Sequence, residues 1–415
     1  MLHKVKQIFF ALLLTFTFTL ASNNIIEAAD FTPEEQAEVA KFQNEYAALN
    51  KKTFNSGNIY SVKPNLIKPF NAGKLDQEYI DIQLSYINYY RNLFGLNAIT
   101  ANDSDNKDAQ TTAAVMAAID ANPFVNQHGL PSDKRPSYIS RKNWKLAQEI
   151  SNASNLNFNA SDQTAGEVIT DLLTDRYNLS GSDTGHRAWI LSTRLTATSV
   201  GAAYGTNGYR YSVNKVLYDS DADQPASREM VAYPNAGVFP IELLQGDSVA
   251  WSLYLSDQTY TKIPKITVTD DDTGKRVDAT NVSNYSTYGY GYFSTVITYY
   301  PSNLKLVDGH QYTVKIGNLK NYSFKLFTQS NTQKKYSTVS NSSSNTQKVS
   351  QDVLEKKGLA NYLYKVGTKI SKTKSKKITS AKTVKNKKKN KKSKKSKKSK
   401  NKKKNSIKKQ RNRKN

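Results

Sequence analysis

The chain has 415 residues and a formal net charge of +26. Residues 365–415 hold 26 of the 60 lysines and arginines and no acidic residue, so the remainder balances 34 basic against 34 acidic groups. A nucleic-acid reading of the charge can therefore apply only to that terminal run, and the absence of cysteine excludes thiol catalysis, thiolate metal sites and disulfides.

Residues 1–29 read as a secretory signal. Lys4 and Lys6 open it, an apolar run from Ile8 to about Ala21 follows, and small residues at Ala21–Ser22 and Ala28–Ala29 offer cleavage points. The run falls short of the roughly 20 residues that a membrane-spanning helix needs. A secreted chain without cysteine fits a Gram-positive source.

Residues 30–75 are expected to hold one helix and a connector. Thr32-Pro33-Glu34-Glu35 has the capping-box pattern with Pro at the first helical position, predicting a polar helix to about Lys51. Pro64, Pro69, Gly57 and Gly73 then mark a meandering link. Residues 76–94 carry Ile80, Leu84 and Ile87 at helical spacing, with Gly95 as the stop. An Ala-rich helix is expected over 108–121 and another over 164–177, where Val168, Leu172 and Leu173 are apolar. A short element begins at His186, and 200–204 and 209–216 read as strands. Residues 76–225 are thus a mixed α+β unit.

From about 230 the apolar period changes to two. Trp251, Leu253 and Leu255 alternate, as do Tyr312, Val314 and Ile316, and Tyr322, Phe324 and Leu326. Roughly seven short strands over 230–327 predict an antiparallel β-sandwich. Trp251 belongs in its core. Tyr285, Tyr288, Tyr290 and Tyr292, around Gly289 and Gly291, read as a strand pair with ordinary tyrosine packing rather than a glycan-stacking loop. Residues 328–350 are a polar linker. Residues 351–370 space Leu359, Leu363, Val366 and Ile370 as a basic amphipathic helix. Residues 371–415 are Lys-rich low complexity, expected to be disordered because such a run buries too little apolar surface to offset chain entropy.

Of four histidines, His3 leaves with the signal and His310 sits at a sandwich turn. His128 and His186 fall in the α+β unit, and imidazole is the common neutral metal ligand and acid–base group. Their surroundings carry a resemblance. Asn88-Tyr89-Tyr90-Arg91 followed by Gly95-Leu96 is similar to the N-x-x-R, G-L pattern of the CAP superfamily, which includes cysteine-rich secretory proteins, antigen 5 and pathogenesis-related 1 proteins. Gly185-His186-Arg187-Ala188-Trp189-Ile190-Leu191, then Val200-Gly201, resembles that family's G-H-R signature. The resemblance covers about 76–218 and looks most like the bacterial secreted branch. The segments 231–242 and 250–253 resemble a join to an immunoglobulin-like β domain. The expected fold is a CAP-like α/β/α sandwich followed by an all-β immunoglobulin-like sandwich.

The resemblance implies a cleft holding two histidines, His128 and His186, with two acids. Glu149 takes the place of the family's G-E-N-I glutamate, and Asp175 fits the fourth position better than Glu167. Two imidazoles with one or two carboxylates can hold a divalent metal such as zinc beside a water. They can equally form a hydrogen-bonded knot, or line a site for a lipid, peptide or glycan. No reaction follows from these residue types. The terminal run binds polyanions by counterion release, so anionic cell-wall polymers or an anionic lipid surface are the expected partners of residues 365–415, and nucleic acid only non-specifically. Three functions stay open: a secreted surface-retained binding module, a metal-assisted extracellular hydrolase, and an adhesin for host polyanions or nucleic acid.

Overall fold

The computed structural model describes residues 30–330 except Asp162, Ser180 and Asp247. The expected signal segment, nearly all of the polar linker, the basic helix and the Lys-rich tail lie outside the described residues.

Local sequence sets most helix starts. Helix α1 (Pro33–Ala48) begins with the capping box between Thr32 and Glu35. Helix α2 (Gln77–Leu93) is capped by Asp76, and Gly95, at φ +62°, follows its end. Helix α3 (Asp103–Ala118) starts earlier than its alanines suggest, because Asn102 accepts a hydrogen bond from the Asp105 N–H. Helix α4 (Arg141–Asn152) was not anticipated. It buries only Ala147, Ile150 and Ser151, so its apolar stripe is narrow, although Ser140 marks its start. A second capping box, Thr164 with Glu167, opens α5 (Ala165–Thr174), and α6 is the short helix Gly185–Ile190.

Strands β1 (Tyr60–Val62) and β2 (Lys74–Leu75) pair within the connector, and β3 (Thr100–Ala101) pairs in parallel with β5 (Ala197–Thr198). The main sheet of the helical part is antiparallel, in the order β4 (Ser154–Asn159), β7 (Arg210–Lys215), β6 (Gly201–Tyr204). One face presents Leu156, Phe158, Tyr211 and Val213 to a core shared with Val115 and Met116 of α3. Helix α3 packs backbone to backbone there: a Cβ on Gly201 would sit 2.2 Å from the Ala109 carbonyl carbon. The other face is polar yet buried. Asn155, Asn157 and Asn159 stand opposite Asn214, Ser212 and Arg210, and Asn214 donates to Gln83 of α2 at 2.9 Å. Helices therefore cover both faces of the sheet. Leu156 and Phe158 do alternate with polar residues at the strand period, but asparagine is depleted in strands, and the sequence reading passed over β4.

The second part has two sheets. One runs β13 (Thr280–Asn284), β14 (Thr295–Tyr300), β10 (Trp251–Leu255), β8 (Met230–Tyr233). The other runs β12 (Arg276–Asp278), β11 (Ile266–Asp270), β15 (Gln311–Ile316), β16 (Lys320–Phe327), β9 (Gly237–Pro240). Among the described residues this makes nine strands where about seven were expected. The pattern is not purely antiparallel, because β9 pairs in parallel with β16. Trp251 is 1 % exposed and meets Phe324 of the opposing sheet edge-on at 5.4 Å, so it is core, as anticipated. The apolar core of α2 and α5 continues without a break into that of the two sheets.

Candidate functional site

His128 and His186 line one cavity of about 320 Å³. His128 lies in the loop between α3 and α4, where Gly129 turns the chain at φ +76°. The loop is fixed by α4: His128 Nδ1 lies 2.7 Å from the Ser151 carbonyl oxygen, the Gly129 N–H donates to Ser151 Oγ, and Gln148 donates to the Gly129 carbonyl. A carbonyl only accepts, so Nδ1 of His128 carries a proton.

His186 stands on the first turn of α6, buried to 1 % exposure. Its Nδ1 is 2.7 Å from Asp175 Oδ1, and its backbone N–H donates to Asp175 Oδ2 at 3.1 Å. Asp175 closes α5 in the left-handed conformation, φ 55°, which aims the carboxylate at the start of α6. Asn178 also donates to it, at 3.1 Å. From the sheet, Asn155 of β4 donates to the His186 carbonyl at 3.0 Å. Both rings are thus held through Nδ1, the arrangement that fixes tautomer and orientation.

The acids expected beside the histidines play other parts. Glu149 does not line the cavity. One side of α4 turns Gln148 and Ser151 toward the His128 loop and leaves Glu149 in solvent, 61 % exposed and 3.5 Å from Lys145. Asp175 supports His186 from behind and is absent from the lining. Glu167 is occupied at the far end of α5 in its capping box. Among the described residues, the cavity lining therefore offers two imidazoles and no carboxylate. A zinc site with an open position takes three protein ligands, so this donor set does not fit one.

The motif residues around the cavity are structural. Asn88 holds both the N–H and the carbonyl of Ile99. Arg91 is buried, and it donates to the carbonyls of Asn97, Ile190 and Ser192, tying α2 to the turn after α6. Burial pushes its guanidinium down to about 10. Arg187 donates to Leu173 and Thr174 carbonyls at the end of α5 and to the Ala250 carbonyl beside β10, and its plane lies 3.7 Å from the Tyr233 ring centre.

Sequence reading missed what the second part contributes. The tyrosine-rich segment is not a strand pair. It forms two 3₁₀ turns, Ser286–Tyr288 beside β14 and Tyr290–Tyr292 against α6. Tyr290 joins the cavity lining. Tyr292 packs edge-on against Trp189 at 5.1 Å and donates to the Tyr218 carbonyl. A Cβ on Gly291 would lie 2.2 Å from the Ala188 carbonyl oxygen. Tyr254 of β10 shares a 2.7 Å hydrogen bond with Thr184, and burial pushes its phenol up. The signal available was the paired glycines, which permit such turns at positive φ.

The described residues also gather Asp270, Asp272 and His310 at a sandwich turn, with ligand atoms within 4.8 Å of one another. These groups already serve the turn. Asp270 takes the Asp272 and Thr273 N–H groups and faces His310 Nδ1 at 3.1 Å, and Asp272 takes the Gln311 N–H.

A search of curated proteins gives no match to the chain. The family model described as CAP, the cysteine-rich secretory protein family, matches residues 84–216. His128, Asp175, His186, both motif arginines and the sheet of the helical part all fall within those residues. That match supports placing residues 84–216 in the CAP superfamily.

Proposed function

We propose that this is a secreted, cell-surface-associated binding module of the bacterial CAP branch, carrying an immunoglobulin-like β module and retained on anionic wall polymers by its basic terminal run. One observation carries the binding role: His128 and His186 share a small cavity inside the CAP match, and both rings are rigidly held through Nδ1. The surroundings favour binding over turnover. Among the described lining residues Ser154 is the one serine or threonine, and its hydroxyl donates to the Ile150 carbonyl at 2.6 Å rather than to either imidazole. A nucleophile needs a base within hydrogen-bond reach. A metal-assisted hydrolase would need a third protein ligand that the lining does not supply.

The retention arm rests on charge. Lysines and arginines concentrated in residues 365–415 release counterions from a polyanion on binding, so the attraction falls steeply with salt. Cells expressing the full chain and a chain lacking 365–415 are washed at low and at high salt. The full chain stays with the envelope at low salt and leaves at high salt, and the shortened chain is found in the medium throughout. Retention unaffected by both changes overturns the reading.

A further inference from the structure

We propose that the cavity shared by His128 and His186 is a site for a neutral carbohydrate ring, with Trp189 as its stacking platform and the second module's Tyr292 as the support that sets the platform. This deepens the binding role proposed above and rests on it.

The first argument is charge. Among the described residues, the lining includes no Lys, Arg, Asp or Glu. Asp175 lies behind His186, and Asp183 is engaged by Asn178 at 2.6 Å. A phosphate, carboxylate or ammonium ligand would meet no fixed counter-charge in the lining, and desolvating an ion without one is costly.

The second is the kind of polar group present. Asn126, Asn152 and Asn155 line the cavity; Asn126 Oδ1 already takes the His128 N–H and Asn155 donates to the His186 carbonyl, so the polar capacity of the lining is carboxamide in kind, with both donors and acceptors. Together with two imidazoles they match a ligand whose polar groups both donate and accept, as sugar hydroxyls and acetamides do. Lipids and aliphatic side chains would leave such groups unmatched.

The third is the aromatic wall. Trp189 is partly buried and lines the cavity. Trp combines a large flat apolar face with a polar edge, which suits a ligand with one C–H face and a hydroxyl rim. Its orientation is not left to solvent. Tyr292 packs edge-on against it, the Tyr292 hydroxyl is anchored on the Tyr218 carbonyl at 2.7 Å, and Gly291 sits directly on the Ala188 carbonyl. The fourth is size: about 320 Å³ is at the small end of the roughly 300–1,000 Å³ span of ligand pockets, enough for one or two rings and too little for a long acyl chain.

The test is a glycan array probed with the full chain at high salt, which screens the basic run, followed by titration calorimetry with the best neutral oligosaccharide. Neutral glycans are expected to bind. Trp189→Ala is expected to lower affinity at least tenfold, and Tyr292→Ala by a smaller factor. Should Trp189→Ala fail to fold, saturation-transfer NMR on the unaltered protein reads the same contact, as magnetisation passing to the sugar C–H protons. Binding confined to charged glycans, binding indifferent to Trp189, or no glycan bound overturns the proposal. A purified envelope preparation separates the two readings. Envelope binding at high salt that is lost in His186→Ala, with no neutral glycan bound, leaves the binding role standing and removes this inference. No binding to either removes both.

Discussion

Asp175 holds His186 Nδ1 at 2.7 Å while its other oxygen takes the His186 backbone N–H, and both side chains are about 1 % exposed. One residue thus fixes the ring and the start of the helix that carries it. Because a carboxylate only accepts, it also dictates that Nδ1 bears the proton.

Asp175→Asn tests that dictation with little change of shape. Asn tolerates the left-handed backbone at this position, but it offers one acceptor oxygen in place of two. Loss of a charged acceptor in a buried site predicts a destabilisation of about 2–3 kcal/mol, read by urea unfolding. With the new amide N–H₂ against the ring, Nδ1 becomes the acceptor and the proton moves to Nε2. The ¹⁵N shifts of His186 are expected to exchange roles. Unchanged ring shifts would show that Asp175 does not set the tautomer.

Arg187→Lys is expected to act on the junction of the two parts. The guanidinium reaches carbonyls of Leu173, Thr174 and Ala250 at once, over the ring of Tyr233. A single ammonium cannot span that set. Each buried carbonyl left without a donor costs about 1–3 kcal/mol, so the total loss should be 3 kcal/mol or more by the same principle. Calorimetry is expected to show two unfolding transitions in the variant where the unaltered protein shows one. One unbroken transition with a small shift would refute this role.

The turn that carries Tyr290 and Tyr292 can be probed with two glycines. Gly289 (φ +67°) has open space around its absent Cβ, whereas Gly291 (φ +61°) lies against the Ala188 carbonyl. Alanine at 289 should cost only the left-handed backbone term, roughly 1–2 kcal/mol. Alanine at 291 adds overpacking of a further 1–3 kcal/mol or so. Thermal melts of the pair check the difference. Equal shifts would mean that the turn is not seated on α6.

Much of the scaffold was readable in the chain, and the reasons differ by element. Thr32 with Glu35, Asp76 and Gly95 announced helix ends because capping is a local interaction. The G-H-R segment announced His186 because its residues are adjacent. Helix α4 escaped because it buries a narrow stripe, and strand β4 because asparagines, which are depleted in strands, fill its alternate positions around Leu156 and Phe158 and face other polar groups inside the protein. Glu149 was placed by order along the chain, and one helical residue of rotation separates it from Gln148, which does face His128's loop. The contributions of Tyr290 and Tyr292 lie about a hundred residues from His186 in sequence. Period and spacing carry no information about such a contact.

The last prediction concerns the clamp between α1 and the sandwich. Lys325 of β16 is almost fully buried and lies 2.9 Å from Glu35, while Phe42 of α1 stacks on Phe327. Burial opposes ionisation of Glu35, but the Thr32 N–H and the Lys325 ammonium outweigh it and hold the carboxyl below its ordinary value of 4.5. A depressed carboxyl pKa contributes stability that is fully present above the unfolded value and is lost as pH falls through the folded one. The unaltered protein should therefore lose stability on acidification below about pH 4.5 more steeply than Glu35→Gln, whose side chain does not titrate. Urea unfolding at pH 3 to 7, written as the difference between the two proteins, isolates this group from every other carboxylate. A difference that stays constant with pH would mean that Glu35 is not held ionised by Lys325, and that α1 is secured by Phe42 and its apolar neighbours alone.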